Sequence, residues 1–156
     1  MNNETGHEVA DALGDLLKRT LRADLHRSLT EGLGEAVDEV TYPVISGLAR
    51  TGPRSAADLA ADVGLDRSGV SRRASRLEAA GLVRREQDPT DRRAVLLTLT
   101  TRGARTVEIM RQRLASRIEA SLSSWPPEEA RSFAVNLRRF VDEGPFADAT
   151  EQRRRQ

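Results

Sequence analysis

Apolar residues recur at spacings of three and four along most of this chain, which is the period of an amphipathic helix. The first such stretch runs from His7 to Leu29 and predicts one long helix, ended by Gly32 and Gly34. Its apolar members are Val9, Leu13, Leu16, Leu17, Leu21, Leu25 and Leu29. This stripe has two interpretations, packing within the monomer or an interface with a second copy of the chain.

The next helix is predicted to begin just before Pro43, because proline lacks an amide proton and is best tolerated in a first turn. It should end at the Thr-Gly-Pro turn at residues 51–53. Asp38 and Thr41 are the alternatives for its N-cap.

Two further helices are predicted, one after Ser55 and one after Asp66, since both side chains cap helix N-termini well. Gly64 separates the two helices and Gly81 ends the second, so the order is that of a helix-turn-helix. The second helix, about residues 67–80, should bury Val70, Ala74 and Leu77. Its outward face then carries Arg67, Ser68, Ser71, Arg72, Ser75 and Arg76.

Residues 82–85 and 94–99 are strand-like, and the turn-forming segment 87–91 lies between them, which predicts a β-hairpin. Arg92 and Arg93 fall at its tip. We expect Asp91 to pair with a nearby arginine and so to fix the hairpin, or wing, without contacting a ligand itself.

Two more helices complete the pattern, one from Thr101 to about Leu122 and one from about Pro127 to the Gly144-Pro145 break. Residues 147–156 are predicted to be a disordered tail. The predicted fold is therefore mainly α with a small β-hairpin wing, as a single domain over residues 1–156.

Composition narrows the function. The chain has no cysteine, which excludes thiol redox sensing and thiolate metal sites, and only 3% aromatic residues, which disfavours a base-stacking platform. Residues 1–41 hold nine acidic residues against four basic ones, whereas residues 66–93 hold eight arginines against five acids. A locally basic helix and hairpin can attract a polyanion although the net charge is only +1.

Arginine can bind two acceptors of one guanine edge or grip a phosphate. Arg67, Ser71 and Arg72 lie on the early turns of the second helix, where base contacts usually arise, and Ser68 and Arg76 are better placed for phosphates. The alternative for arginines on an isolated helix is a merely solvated face. The helix-turn-helix and the basic hairpin together favour the DNA interpretation.

The segment GLVRREQDPTDRRAVLLTLT, residues 81–100, is similar to the wing of MarR-family regulators, and residues 55–103 resemble their winged helix-turn-helix. The resemblance implies a homodimer joined by helical regions 7–31 and 101–143, with region 35–100 binding a pseudopalindromic operator in double-stranded DNA. It places major-groove contacts on Arg67, Ser68, Ser71, Arg72 and Arg76. It places a minor-groove arginine at Arg93 and a phosphate contact at Arg92.

Members of that family often bind small aromatic or anionic molecules beside the dimer helices. His26, Tyr42 and Met110 are then candidates for the wall of such a pocket. The alternative to a pocket role is that His26 is simply solvated and that Met110 belongs to the core. With two distant histidines and no cysteine, neither a metal site nor a cofactor is expected.

The leading hypothesis is thus a sequence-specific transcriptional regulator, a ligand-responsive repressor acting as a homodimer. A winged-helix module that binds proteins and not DNA is the alternative. The sequence contains no nucleophile–base constellation or phosphate loop that would indicate an enzyme. Without a secretory leader or an apolar span, a cytoplasmic protein with no membrane partner is expected.

Overall fold

A computed structural model describes residues 3–145 and contains within that range seven helices and one antiparallel hairpin. The elements are α1 Asn3–Leu17, α2 Arg19–Thr30, α3 Tyr42–Thr51, α4 Ala56–Val63, α5 Arg67–Ala79, β1 Val83–Gln87, β2 Val95–Leu99, α6 Thr101–Leu122 and α7 Pro127–Glu143. The mainly α fold with a hairpin wing is confirmed. The predicted tail 147–156 lies outside the described residues.

The chain divides into two compact units between Leu114 and Ala115, inside α6. The first contains the helix-turn-helix and the hairpin, and the second contains the end of α6 and all of α7. None of the helices in the described range is long and apolar enough to cross a membrane.

The prediction of one unbroken first helix is wrong. Lys18 adopts an extended backbone, with φ −56° and ψ 130°, and separates α1 from α2. Its side chain instead binds Oδ1 of Asp15 at 2.5 Å. The leucine spacing continues across this one-residue break, and no glycine or proline marks it, so the periodicity alone could not reveal it.

Two helices, α3 and α5, each contribute three side chains to the core of the first unit. Val44, Ile45 and Leu48 of α3 are at most 2% exposed. The predicted stripe of α5, Val70, Ala74 and Leu77, is fully buried. Burial of this stripe leaves the opposite face of α5 to solvent, and that face holds the predicted contact residues.

Local capping fixes the turn between α4 and α5 as predicted. Ser55 accepts a hydrogen bond from the Asp58 N–H at 3.1 Å, and Asp66 accepts one from the Gly69 N–H at 2.6 Å. Gly64 has φ +70°, a left-handed conformation that disfavours side chains with a Cβ. At the start of α3, Thr41, one of the two predicted alternatives, holds the N-cap position. Its hydroxyl does not cap the helix but donates to the Ala36 carbonyl at 2.7 Å.

The hairpin pairs Val83 with Leu99 and Gln87 with Val95 in antiparallel register. Its base is closed tightly by α6, because Gly103 lies so near the Leu82 carbonyl that an added Cβ would come within 2.0 Å of the oxygen. Glycine is therefore required there for close approach of helix and strand.

In the second unit, α7 starts at Pro127 with Glu128 and Glu129 in its first turn, as predicted. The rings of Trp125 and Phe133 meet at 5.4 Å between centroids. No residue of α7 is buried, and apolar side chains such as Leu137 remain half exposed.

Candidate nucleic-acid interface

The N-terminal turns of α5 present the predicted contact residues to solvent. Arg67, Ser68 and Arg72 are exposed, and Ser71 is partly exposed, in front of the buried stripe. Within residues 3–145, the guanidinium groups of Arg67 and Arg72 have neither a hydrogen-bond nor an ion-pair partner. They are available to an external acceptor.

Arg76 differs from these residues, because one nitrogen of its guanidinium, Nη2, is already bound within the chain. Its Nη2 lies 2.7 Å from Oδ2 of Asp38 and donates a 3.2 Å hydrogen bond to the Glu35 carbonyl. Partial burial alone would raise the pKa of Asp38, but hydrogen bonds from Arg76 and Thr41 and the charge of Arg76 outweigh it and lower that pKa.

The tip of the wing is held by its own side chains. Oδ1 of Asp88 accepts hydrogen bonds from the Thr90 N–H at 2.8 Å and from its hydroxyl at 2.7 Å. The Gln87 side chain donates to the Arg92 carbonyl at 2.8 Å. Thr90 therefore lowers the pKa of the Asp88 carboxyl, which stays ionised as the acceptor of this turn.

Asp91 fixes the wing in a different way from the predicted one. In the described part of the chain it forms no ion pair with an arginine; its Oδ1 accepts the backbone N–H of Arg93 at 3.0 Å. An aspartate two residues before an amide forms this local turn readily. The guanidinium groups of Arg92 and Arg93 consequently stay exposed, without a partner among residues 3–145.

Arg85, for which no role was predicted, connects the wing to α5. Its Nε binds Oε2 of Glu78 at 3.0 Å, and its Nη2 donates to Oγ of Ser75 at 2.9 Å. Ser75, expected to face solvent, thus serves as an acceptor within the chain. The opposite charges of Glu78 and Arg85 are evident in the sequence. Their contact could not be predicted, because helical spacing does not continue across the turn between α5 and β1.

Arg73 was likewise missed. Its Nε donates to the Val40 carbonyl at 2.9 Å, and its Nη1 donates to the Gly69 carbonyl at 3.0 Å. It therefore faces the loop between α2 and α3 and not the exposed side of α5. Arg73 lies three residues before Arg76, and this helical spacing was the one indication in the sequence that the two side chains share a face of α5.

His26 and Tyr42, two of the three pocket candidates, lie together. Their rings stack with centroids 4.1 Å apart. His26 lines an open cleft of about 460 Å³ whose walls also include Arg19, Arg22 and Arg73. Burial, followed by the charge of Arg22, lowers the pKa of His26, so its imidazole is kept neutral more readily.

Met110 does not join them. It is 1% exposed and belongs to the hydrophobic core of the first unit, so its core interpretation is the one that the structure supports. Among residues 3–145, no group of three histidine or acidic residues is arranged to hold a metal ion.

A family model described as the MarR family matches residues 37–94. The chain is 30% identical over 147 residues to the HTH-type transcriptional regulator YxaD of Bacillus subtilis, covering 91% of this chain and all of that one. It is 25% identical over 140 residues to the HTH-type transcriptional repressor NicR of Pseudomonas putida, with 90% and 89% coverage.

The fold is similar to the crystal structure of the PcaV transcriptional regulator from Streptomyces coelicolor, determined in complex with its natural ligand. The TM-score is 0.55 at 27% identity, and the match covers 90% of this chain and 94% of PcaV.

Proposed function

Because this chain belongs to the MarR family of transcriptional regulators, we propose that it is a homodimeric repressor that binds a pseudopalindromic operator and releases it on binding a small molecule. The observation that carries the proposal is the set of four arginines without an intramolecular partner in the described chain, on α5 and at the wing tip. They are Arg67, Arg72, Arg92 and Arg93.

The roles of these residues follow from their positions. Arg67, Ser71 and Arg72, on the first turns of α5, are proposed to contact base edges in the major groove, with Ser68 on a phosphate. Arg93, held at the wing tip, enters the minor groove, where a narrow groove concentrates negative potential. Arg92 contacts a phosphate beside it.

Dimerisation is supported by apolar surface on each unit considered by itself. In α1 and α2, Leu16, Leu17 and Leu21 are 61%, 58% and 50% exposed. In the second unit, Phe133 and Leu137 are 42% and 47% exposed. Pairing two copies through these faces buries them and supplies two helix-turn-helix elements, which need centres about 34–36 Å apart to enter successive major grooves.

The cleft at His26 is the proposed effector site. The ligand complex of PcaV and the repressor name of NicR support a ligand-responsive repressor. Three arginines and the ring of His26 in the cleft wall suit an anionic aromatic molecule, and Tyr42, outside the wall, stacks on that ring. Such a molecule reduces operator affinity if it binds better to a dimer with a different spacing of its reading helices.

Titration of the protein onto the DNA upstream of its own gene, at several salt concentrations, tests the proposal. We expect binding at least 1000-fold tighter than to a random duplex, the low end of the range for specific sites. Equal affinity for both duplexes would instead favour a winged-helix module that binds proteins.

A further inference from the structure

We propose that Asp38 and Arg76 are positioning residues, whose ion pair clamps the loop between α2 and α3 onto the recognition helix α5, and that Arg76 is not a DNA contact. This revises the phosphate role predicted for Arg76. It rests on the proposed function as far as operator affinity is concerned, but the clamp itself is a property of the free protein.

Asp38 attaches that loop to α5 through its carboxylate. Its Oδ2 binds Arg76 at 2.7 Å. Its Oδ1 accepts the N–H groups of Val40 at 3.0 Å and Thr41 at 2.9 Å. One carboxylate therefore holds both the start of α3 and the middle of α5.

Arg73 strengthens the same attachment one turn earlier on α5. It donates to the Val40 carbonyl at 2.9 Å, while Arg76 also donates to the Glu35 carbonyl at 3.2 Å. The two arginines, three residues apart on α5, thus bind Glu35 and Val40, five positions apart in the loop of residues 31–41. Bonds to two points of the loop restrict the rotation of α5 about its own axis.

A phosphate contact by Arg76 would set the DNA backbone beside the Asp38 carboxylate. Both intramolecular bonds of its guanidinium use Nη2, so a phosphate on Nε or Nη1 would share the group with that carboxylate, and a phosphate on Nη2 would displace it. Arg72, one turn away and without an intramolecular partner in the described chain, can meet an external acceptor without any such cost.

The two roles predict opposite results for Asp38→Asn. Asparagine keeps an oxygen for the Val40 and Thr41 N–H groups but weakens the hold on Arg76. If Arg76 positions α5, Asp38→Asn and Arg76→Ala each lower operator affinity about 10-fold, the double variant is no worse than either, and the salt slope of binding is unchanged. If Arg76 contacts a phosphate, Asp38→Asn leaves affinity equal or higher, and Arg76→Ala reduces the salt slope by about 0.9 per protomer.

Hydrogen exchange of the Val40 and Thr41 amides, without DNA, tests the clamp independently. We expect at least fivefold faster exchange in Arg76→Ala and no change in Arg72→Ala, the matched control on the same helix. The pair is partly exposed, 44% for Arg76 and 33% for Asp38, so both variants should remain folded. Unchanged exchange would overturn the clamp, whereas loss of operator binding by the wild-type protein would overturn the proposed function.

Discussion

The backbone N–H of Arg93 donates a 3.0 Å hydrogen bond to Oδ1 of Asp91. The acid two residues before the proposed minor-groove arginine thus sets the direction in which that residue leaves the wing.

We therefore expect Arg93→Ala to weaken operator binding about 10- to 100-fold, with the largest loss on operators whose minor groove is narrow. Asp91→Ala should cause a smaller loss, because it frees the tip but keeps the guanidinium. Fluorescence anisotropy on operators with A-tract and G·C flanks measures both. Arg111→Ala, an exposed arginine of α6, is the control, and an equal loss in that variant would refute a specific role for Arg93.

Arg72→Ala should relax base preference. Loss of a bidentate contact to a base costs about 1–3 kcal/mol at one operator position and little on a random duplex. A set of operators with single base changes, titrated against both proteins, locates the position. A uniform loss on every sequence would reassign Arg72 to the phosphate backbone.

The fold was predictable wherever burial, capping and turn chemistry agree. Ser55, Gly64, Asp66 and Gly81 all mark the helix ends at which the structure places them. These signals are local, since each depends on residues within one turn of the chain. The helix-turn-helix, the hairpin and the exposed face of α5 followed from them.

What escaped prediction depends on contacts between distant segments. Asp38 and Arg76 are 38 residues apart, and nothing in their spacing shows that they meet. Lys18 breaks the first helix although it is itself a good helix former. Met110 was a pocket candidate although its place on the apolar stripe of α6 favoured the core, and its burial agrees with the core interpretation.

Two charges on the exposed face of α1 should dissociate the proposed dimer. Leu16→Glu combined with Leu17→Glu places two like charges in the proposed interface, where unpaired charge is costly. Light scattering after size exclusion should give half the mass of the wild-type protein. Val95→Glu, at an apolar position 51% exposed on the wing, should leave the mass unchanged. A dimer that persists in the α1 variant would place the interface elsewhere.

Stability should fall as the pH is lowered through the titration of His26. Burial and the charge of Arg22 lower the folded-state pKa of His26 below 6.5, so the unfolded chain binds the proton more readily. The contribution is fully present above about pH 6.5 and is lost as the pH falls through the lower folded-state pKa. Thermal unfolding from pH 7.5 to 5 measures it. His26→Gln should flatten this part of the profile.

Gly103→Ala should destabilise the protein by roughly 3 kcal/mol, the upper part of the range for overpacking, because the new methyl group meets the Leu82 carbonyl. Gly14→Ala is the matched control, since nothing lies within 4 Å of a Cβ there. Within α1 that change should stabilise the helix by about 0.5–1 kcal/mol. Urea denaturation compares the two, and equal midpoints would contradict the close approach at Gly103.

Arg73 belongs to two surfaces at once, the wall of the His26 cleft and the inner side of the recognition helix. An anion in the cleft that draws this guanidinium from the Val40 and Gly69 carbonyls would break two hydrogen bonds of Arg73. Under the proposed clamp, the bond to Val40 helps to hold the loop on α5. Linkage is reciprocal. The factor by which a bound effector lowers the affinity for the operator therefore equals the factor by which a bound operator lowers the affinity for the effector. A repressor built in this way would respond at lower effector concentrations when free than when already seated on its promoter.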